Sequence, residues 1–190
     1  IFQSQRDGYP CDEMFVMRTD GTSLRKVSTG KGRVTCGYFF GLHPTKNEPS
    51  HLVFASTHAA GAECPAKPDY SKGYVWPIYS SYELYSSAFA DGELKRITNN
   101  SAYDAEATTS ADQSKLVFTS TRDGDLDLYI MNTDGTGIRR ITKDLGYDGG
   151  AFFSHDGKKL VYRAYHPESS EEKKTYKENL KAGVYRPSWL

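Results

Sequence analysis

The chain has 190 residues, 37% of them apolar, enough to bury a core as one domain. Lysine plus arginine and aspartate plus glutamate number 24 each, so no net field favours nucleic acid or an anionic membrane surface. No apolar run approaches the length of a membrane-spanning helix, and membrane insertion is not expected.

In chain order, Ile1-Phe2-Gln3-Ser4 reads as a strand running into an Arg6-Asp7-Gly8 turn. Met14-Phe15-Val16-Met17 and Arg25-Lys26-Val27-Ser28 follow as two more strand candidates around Asp20-Gly21. The order recurs in Leu52-Val53-Phe54-Ala55-Ser56-Thr57, Glu83-Leu84-Tyr85, Asp91-Gly92 and Lys95-Arg96-Ile97-Thr98. Its clearest copy is 116–142, LVFTSTRDGDLDLYIMNTDGTGIRRIT, with strands predicted over 116–120, 128–131 and 138–142. Asp-Gly pairs between β-rich runs predict tight primed hairpin turns at Asp123-Gly124 and Asp134-Gly135. A fourth copy starts at Leu160-Val161-Tyr162. The aromatics Phe2, Phe54, Phe118 and Tyr162 lie 52, 64 and 44 residues apart.

A unit of roughly 40–50 residues with four strands points to an all-β protein, a β-propeller of four-stranded antiparallel blades. The remaining strand of each unit is predicted upstream of the LVF segment, at 103–110 and 147–154. About three and a half blades are expected: part of a first (1–30), a second (31–99), a third (100–143) and part of a fourth (144–190). Residue 1 falls inside a second strand and Leu190 where a third would begin. A segment of a longer propeller is therefore expected, its ring closed by further residues or by other chains.

Antiparallel pairing of strands A to D places every B–C loop and D–A connection on one face. That face carries the unusual sequence. The blade-2 B–C loop swells to 58–81, and that of blade 4 runs over 165–189. The latter predicts a helix, with Ser169 and Glu172 as a capping box, Gly183 as the stop, and Tyr176 and Leu180 one turn apart. Long loops on a rigid scaffold concentrate recognition, and aromatics dominate interface energy. Tyr70, Tyr74, Trp76, Tyr79, Tyr176 and Trp189 are the candidate partner contacts.

Cys11, Cys36 and Cys64 all map to this face, without zinc spacing. Three reduced thiols and one disulfide are both open, with Cys11–Cys36 preferred because a single D–A connection joins them. Asp104 and Asp148 occupy equivalent inner-strand positions, and Glu106 lies one pleat beyond Asp104. Converging there, they could hold a hard cation such as calcium. Otherwise no cofactor is expected. No G-x-S-x-G, H-E-x-x-H or P-loop is present, so no catalytic residue is assigned.

The motifs S-x-R-D-G, L-Y-x-M, D-G-T/S and R-x-T/S resemble the TolB-like, WD-type repeat of bacterial cell-envelope proteins. The match is closest over 103–165. Cys36-Gly37-Tyr38-Phe39-Phe40, Gly73-Tyr74-Val75-Trp76 and Gly146-Tyr147-Asp148-Gly149-Gly150 are similar to a secreted subgroup labelled Tol-type biopolymer transport proteins. His43-Pro44-Thr45-Lys46-Asn47 and Ala111-Asp112-Gln113 depart from the Pro-Asp-Gly turn of the repeat, and TolB's amino-terminal α/β domain has no counterpart here. The resemblance implies a periplasmic or extracellular, non-enzymatic platform that binds a protein or polymer of the cell envelope. The alternatives are the propeller part of a hydrolase, peptidase or polysaccharide lyase, and a self-assembling extracellular structural protein.

Overall fold

The computed structural model describes residues 1–42, 49–71, 73–89 and 92–187. Its strands in chain order begin with β1 (Phe2–Ser4), β2 (Glu13–Val16) and β3 (Arg25–Lys26), which form a three-stranded antiparallel sheet. Next come β4 (Val34–Leu42), β5 (Pro49–Ser56), β6 (Trp76–Pro77), β7 (Glu83–Ala88) and β8 (Leu94–Arg96). Of these, β4-β5-β7-β8 form a four-stranded sheet and β6 stands apart. A second four-stranded sheet comprises β9 (Asp104–Thr109), β10 (Lys115–Ser120), β11 (Asp127–Asn132) and β12 (Arg139–Arg140). Then β13 (Tyr147–Phe153) pairs with β14 (Leu160–Tyr165), followed by α1 (Ser170–Lys181) and β15 (Val184–Tyr185). This is the all-β, propeller-type arrangement of antiparallel meanders expected from the repeat.

The strands form because β-branched and aromatic residues alternate between two buried faces. Sheets packed face to face bury both sides, so β10 reads Leu116-Val117-Phe118 with all three at 0% exposure. One core lies between the two four-stranded sheets and gathers Val53, Leu84, Ala105, Phe118 and Tyr129. A second, around Leu52, Phe54 and Tyr85, receives Met14 and Val16 from the first sheet. The innermost strand β9 lies against both β4 and β13.

Each third strand opens on a buried acid, Glu13, Glu83 or Asp127, all at 1% exposure or less. The closing R-x-T/S motif answers it. Arg96 donates to Glu83 at 2.9 Å and Arg140 to Asp127 at 2.6 Å. The hydroxyls of Ser28, Thr98 and Thr142 accept from the backbone N–H of Met14, Leu84 and Leu128, each at 2.9 Å. The repeated arginine and threonine therefore satisfy buried groups at the sheet edge.

The turns correct one expectation at two places: neither Asp123-Gly124 nor Asp134-Gly135 forms a primed turn, since each aspartate keeps a negative φ and each glycine closes the turn in the left-handed region. At the third repeat Gly124 N–H donates to the Thr121 carbonyl, and Asp123 keeps a negative φ, so this is a type I turn closed by a left-handed glycine (φ 91°). Arg122 fixes it: its N–H and Nε both bind Ser120 Oγ while its guanidinium sits on Asp104. The same letters at Asp7-Gly8 do make the primed turn, with φ of 54° and 79° and Tyr9 N–H donating to Arg6. There Arg6 is a surface residue, paired with its neighbour Asp7 and lying over the Phe15 ring at 5.6 Å. The turn expected at Asp91-Gly92 lies partly outside the described residues, as does the 43–48 segment.

In the Asp-Gly-Thr turn, Asp134 Oδ1 accepts from the Thr136 hydroxyl at 2.7 Å and its N–H at 2.9 Å. The hydroxyl bond, then the N–H, holds the Asp134 carboxyl below the usual aspartate range. A depressed acid adds stability that is present above its unfolded pKa and lost as pH falls through the folded value. Thr136→Val is expected to move the Asp134 midpoint upward in a carbon-detected NMR titration; an unmoved midpoint would refute the assignment.

Candidate functional site

The two long insertions, from the second and fourth sheets, fold together across the intervening third. Trp76 pairs with Tyr185 and Pro77 with Val184 in an antiparallel β6–β15 ladder, extended by Ile78 N–H donating to Gly183 at 2.7 Å. Helix α1 starts at the expected capping box: the Ser169 side chain accepts from Glu172 N–H, and the Glu172 carboxylate accepts from Ser169 N–H. It ends at Ala182, with left-handed Gly183 next (φ 73°). Below the ladder, Tyr185 stacks on Tyr147 of β13 with centroids 4.5 Å apart, and Trp76 meets Tyr147 edge-on at 5.7 Å.

This packing sorts the aromatic candidates. Tyr176 is 5% exposed; its hydroxyl donates to Asp125 in the β10–β11 loop, so it secures the helix, and it also lines the first of the cavities beside the ladder. Trp76 is half-buried within the ladder, and the Tyr79 hydroxyl donates to the Ala66 carbonyl at 2.7 Å. Tyr70 and Tyr74 are 47% and 55% exposed and face solvent. Trp189 lies outside the described residues. A cavity of about 460 Å³ lies beside the ladder, lined by Tyr74, Tyr165, Glu172, Asn179 and Arg186. Another of about 540 Å³, lined by Lys67, Pro68, Tyr79, Asn179 and Arg186, lies on its other flank.

The cysteines correct a second expectation. Cys11 bonds to Cys64, with Cα atoms 5.8 Å apart, and Cys36 stays free. Cys36 sits at an inner-strand bulge, where Thr35 Oγ1 lies 3.3 Å from its sulfur, whereas Cys64 lies in the insertion that reaches the Cys11 loop. Burial first, and then the Glu106 charge, pushes the Cys36 thiol up to about 11, so it stays protonated at neutral pH.

The carboxylates correct a third. Asp104, Glu106 and Asp148 do not converge, and the described residues contain no metal-binding cluster of His, Cys, Asp and Glu. Each has its own partners. Asp104 takes Arg122 at 2.9 and 3.0 Å and Asn100 at 2.6 Å. Asp148 takes His166 at 3.1 Å, and burial holds its carboxyl above the usual range. Glu106 accepts from Thr119 Oγ1 and Gly150 N–H, each at 2.8 Å, and from the Tyr147 hydroxyl at 3.2 Å.

Cys36, Glu106 and Gly150 are the same position in successive inner strands. All three have a left-handed φ (53°, 59° and 60°), and each sits at a register shift against the neighbouring strand. Such a bulge re-aims side chains along a strand, and a non-glycine residue there carries local strain. Between these bulges and the underside of the ladder lies a cavity of about 350 Å³.

A family model described as the TolB beta propeller domain matches residues 77–185. The chain belongs to the TolB β-propeller family. Among solved structures it is similar to a TolB from Agrobacterium tumefaciens, with TM-score 0.61 and 17% identity over 86% of this chain. The chain spans 50% of that protein's length. A TolB from Acinetobacter baumannii gives TM-score 0.44 and 18% identity, covering 83% of this chain and 44% of the other. An oligogalacturonate lyase from Vibrio parahaemolyticus gives 0.45 and 12%, covering 84% and 54%. No curated protein sequence matches the chain.

In this TolB-type propeller, several residues around the 350 Å³ cavity escape a reading by motif: Gln3, Arg33, Tyr82, Tyr103 and Arg163. Two signals were available. The Tyr-Asp pair recurs at Tyr103-Asp104 and Tyr147-Asp148, and Gly149-Gly150 inside a strand marks a bulge. Arg163 carries no such mark, since only the fold brings it over Trp76.

Proposed function

We propose that this TolB-type propeller is a non-enzymatic binding module that recognises a protein or polymer of the cell envelope on the face built by its two joined insertions. The carrying observation is the β6–β15 ladder. It turns two loops into one ordered surface, leaves Tyr70 and Tyr74 exposed, and sets a cavity on either side with Asn179 and Arg186 common to both. Exposed aromatics beside an arginine, on a surface ordered before binding, are what a recognition site requires. A periplasmic or extracellular location is supported by the Cys11–Cys64 bond, since such bonds persist in oxidising compartments. No helix among the described residues is long and apolar enough to cross a membrane.

The test is affinity capture from envelope extracts with quantitative mass spectrometry. The Tyr70→Ala, Tyr74→Ala double variant is expected to lose its enriched partner by about tenfold or more, each hot-spot aromatic being worth about 2 kcal/mol. A Lys158→Ala variant, altered in the exposed β13–β14 turn on the opposite face, is expected to retain it. Equal capture by both variants would sink the assignment.

A further inference from the structure

The 350 Å³ cavity is lined by Trp76 and Pro77 of the ladder and by Tyr74 beside it, and the proposed docking face leaves the chemistry of its other residues unexplained. Its lining is rich in donors. Tyr82 and Tyr103 meet edge-to-face at 5.8 Å and are 3% and 6% exposed. Neither hydroxyl has a hydrogen-bond partner among the described residues, although both rings line the cavity. Burial pushes both phenols up, so they remain donors at any physiological pH.

Two guanidiniums join them. Arg163 lies over the Trp76 ring at 4.7 Å and donates to the Tyr147 hydroxyl at 3.5 Å, which presents it from an aromatic support. Arg33 is held by Asp12 at 2.6 Å. Gln3 accepts from Cys36 N–H at 3.1 Å and Thr35 Oγ1 at 3.0 Å, while its amide nitrogen has no acceptor among the described residues. Among the described residues the one acid in the lining, Glu106, is occupied by donors from Thr119, Tyr147 and Gly150.

Phenol hydroxyls that open into a cavity and find no acceptor in the protein bond to a ligand or water there, and arginine beside phenols suits a planar oxyanion. We propose that this cavity is a binding site for a small organic carboxylate, its oxygens received by Arg163, Tyr82 and Tyr103. The volume sits at the low end for ligand sites and admits one compact acid. Tyr74 lines this cavity and also belongs to the proposed docking face, but Tyr82, Tyr103 and Arg163 line neither flanking cavity, so variants at these three test this assignment apart from that one.

Isothermal titration of the full chain with succinate, citrate and D-glucuronate, against succinamide and glucose, tests it. At least one acid is expected to bind saturably, with its neutral counterpart at least tenfold weaker. Tyr82→Phe and Tyr103→Phe remove one oxygen each and keep the rings, so they are expected to fold and to weaken that acid by about tenfold. Arg163→Gln is expected to weaken it further. No saturable binding of any monomeric acid, equal binding of the neutral compounds, unchanged affinity in both phenylalanine variants, or binding by an acidic polymer alone would each overturn the proposal.

Discussion

Replacing Asp104 by alanine is expected to destabilise the protein by about 3–5 kcal/mol, the range for removing one partner of a buried ion pair. The Asp104 side chain is fully buried and receives Arg122, itself 19% exposed, together with the Asn100 amide. Arg122 lies over Phe118 at 5.1 Å and Tyr129 at 4.9 Å, so once unpaired it has little freedom to swing into water. The same guanidinium shapes the Thr121–Gly124 turn, so the loss should reach the turn as well as the inner strand. Urea denaturation measures the effect. An Asp104→Leu, Arg122→Leu double variant should recover much of it, because it leaves no charge stranded in the core. A single-variant loss below about 1 kcal/mol would show that the pair does not hold β9 in place.

Reducing the Cys11–Cys64 bond is expected to lower stability by about 4 kcal/mol, from the entropy of closing a loop across a separation of 53 residues. For a chain of this size that corresponds to a melting temperature about 8–16 °C lower. The Cys11→Ser, Cys64→Ser variant should melt like the reduced protein and be insensitive to reductant, whereas Cys36→Ser keeps the bond and should lose stability on reduction as wild type does. Calorimetry with and without reductant separates the three. Equal melting of oxidised and reduced wild type would refute the structural role of the bond.

Much of the fold was legible because the repeat is written in local chemistry. Alternating apolar pairs, Asp-Gly turns and the R-x-T closure each act within one meander, so Phe54 and Phe118 predict their strands from neighbouring residues alone. The capping box at Ser169 and Glu172 is local too. What could not be read depends on contacts between distant segments. Cysteine pairing is decided by where the insertion lands: Gly32 N–H donates to the Ala62 carbonyl just before Cys64, which sits beside Cys11, while Cys36 stays within β4. The carboxylates misled because a shared strand position fixes depth in the fold but not partners: Asp104 faces Arg122, Asp148 faces His166, and Glu106 is turned by its bulge. Tyr176 resembled a surface aromatic only because nothing nearby in sequence announces Asp125 as its acceptor.

The ladder between the insertions has a mechanical consequence. Blades stacked around an axis ordinarily touch only their neighbours, so such proteins melt as sums of near-independent modules. Here one covalent tie couples the first meander to the insertion of the second, and backbone pairing couples that insertion to the fourth. Opening any one of these three sectors must strain the other two, so amide exchange across the first, second and fourth should share a single high-energy opening instead of a gradient of local ones.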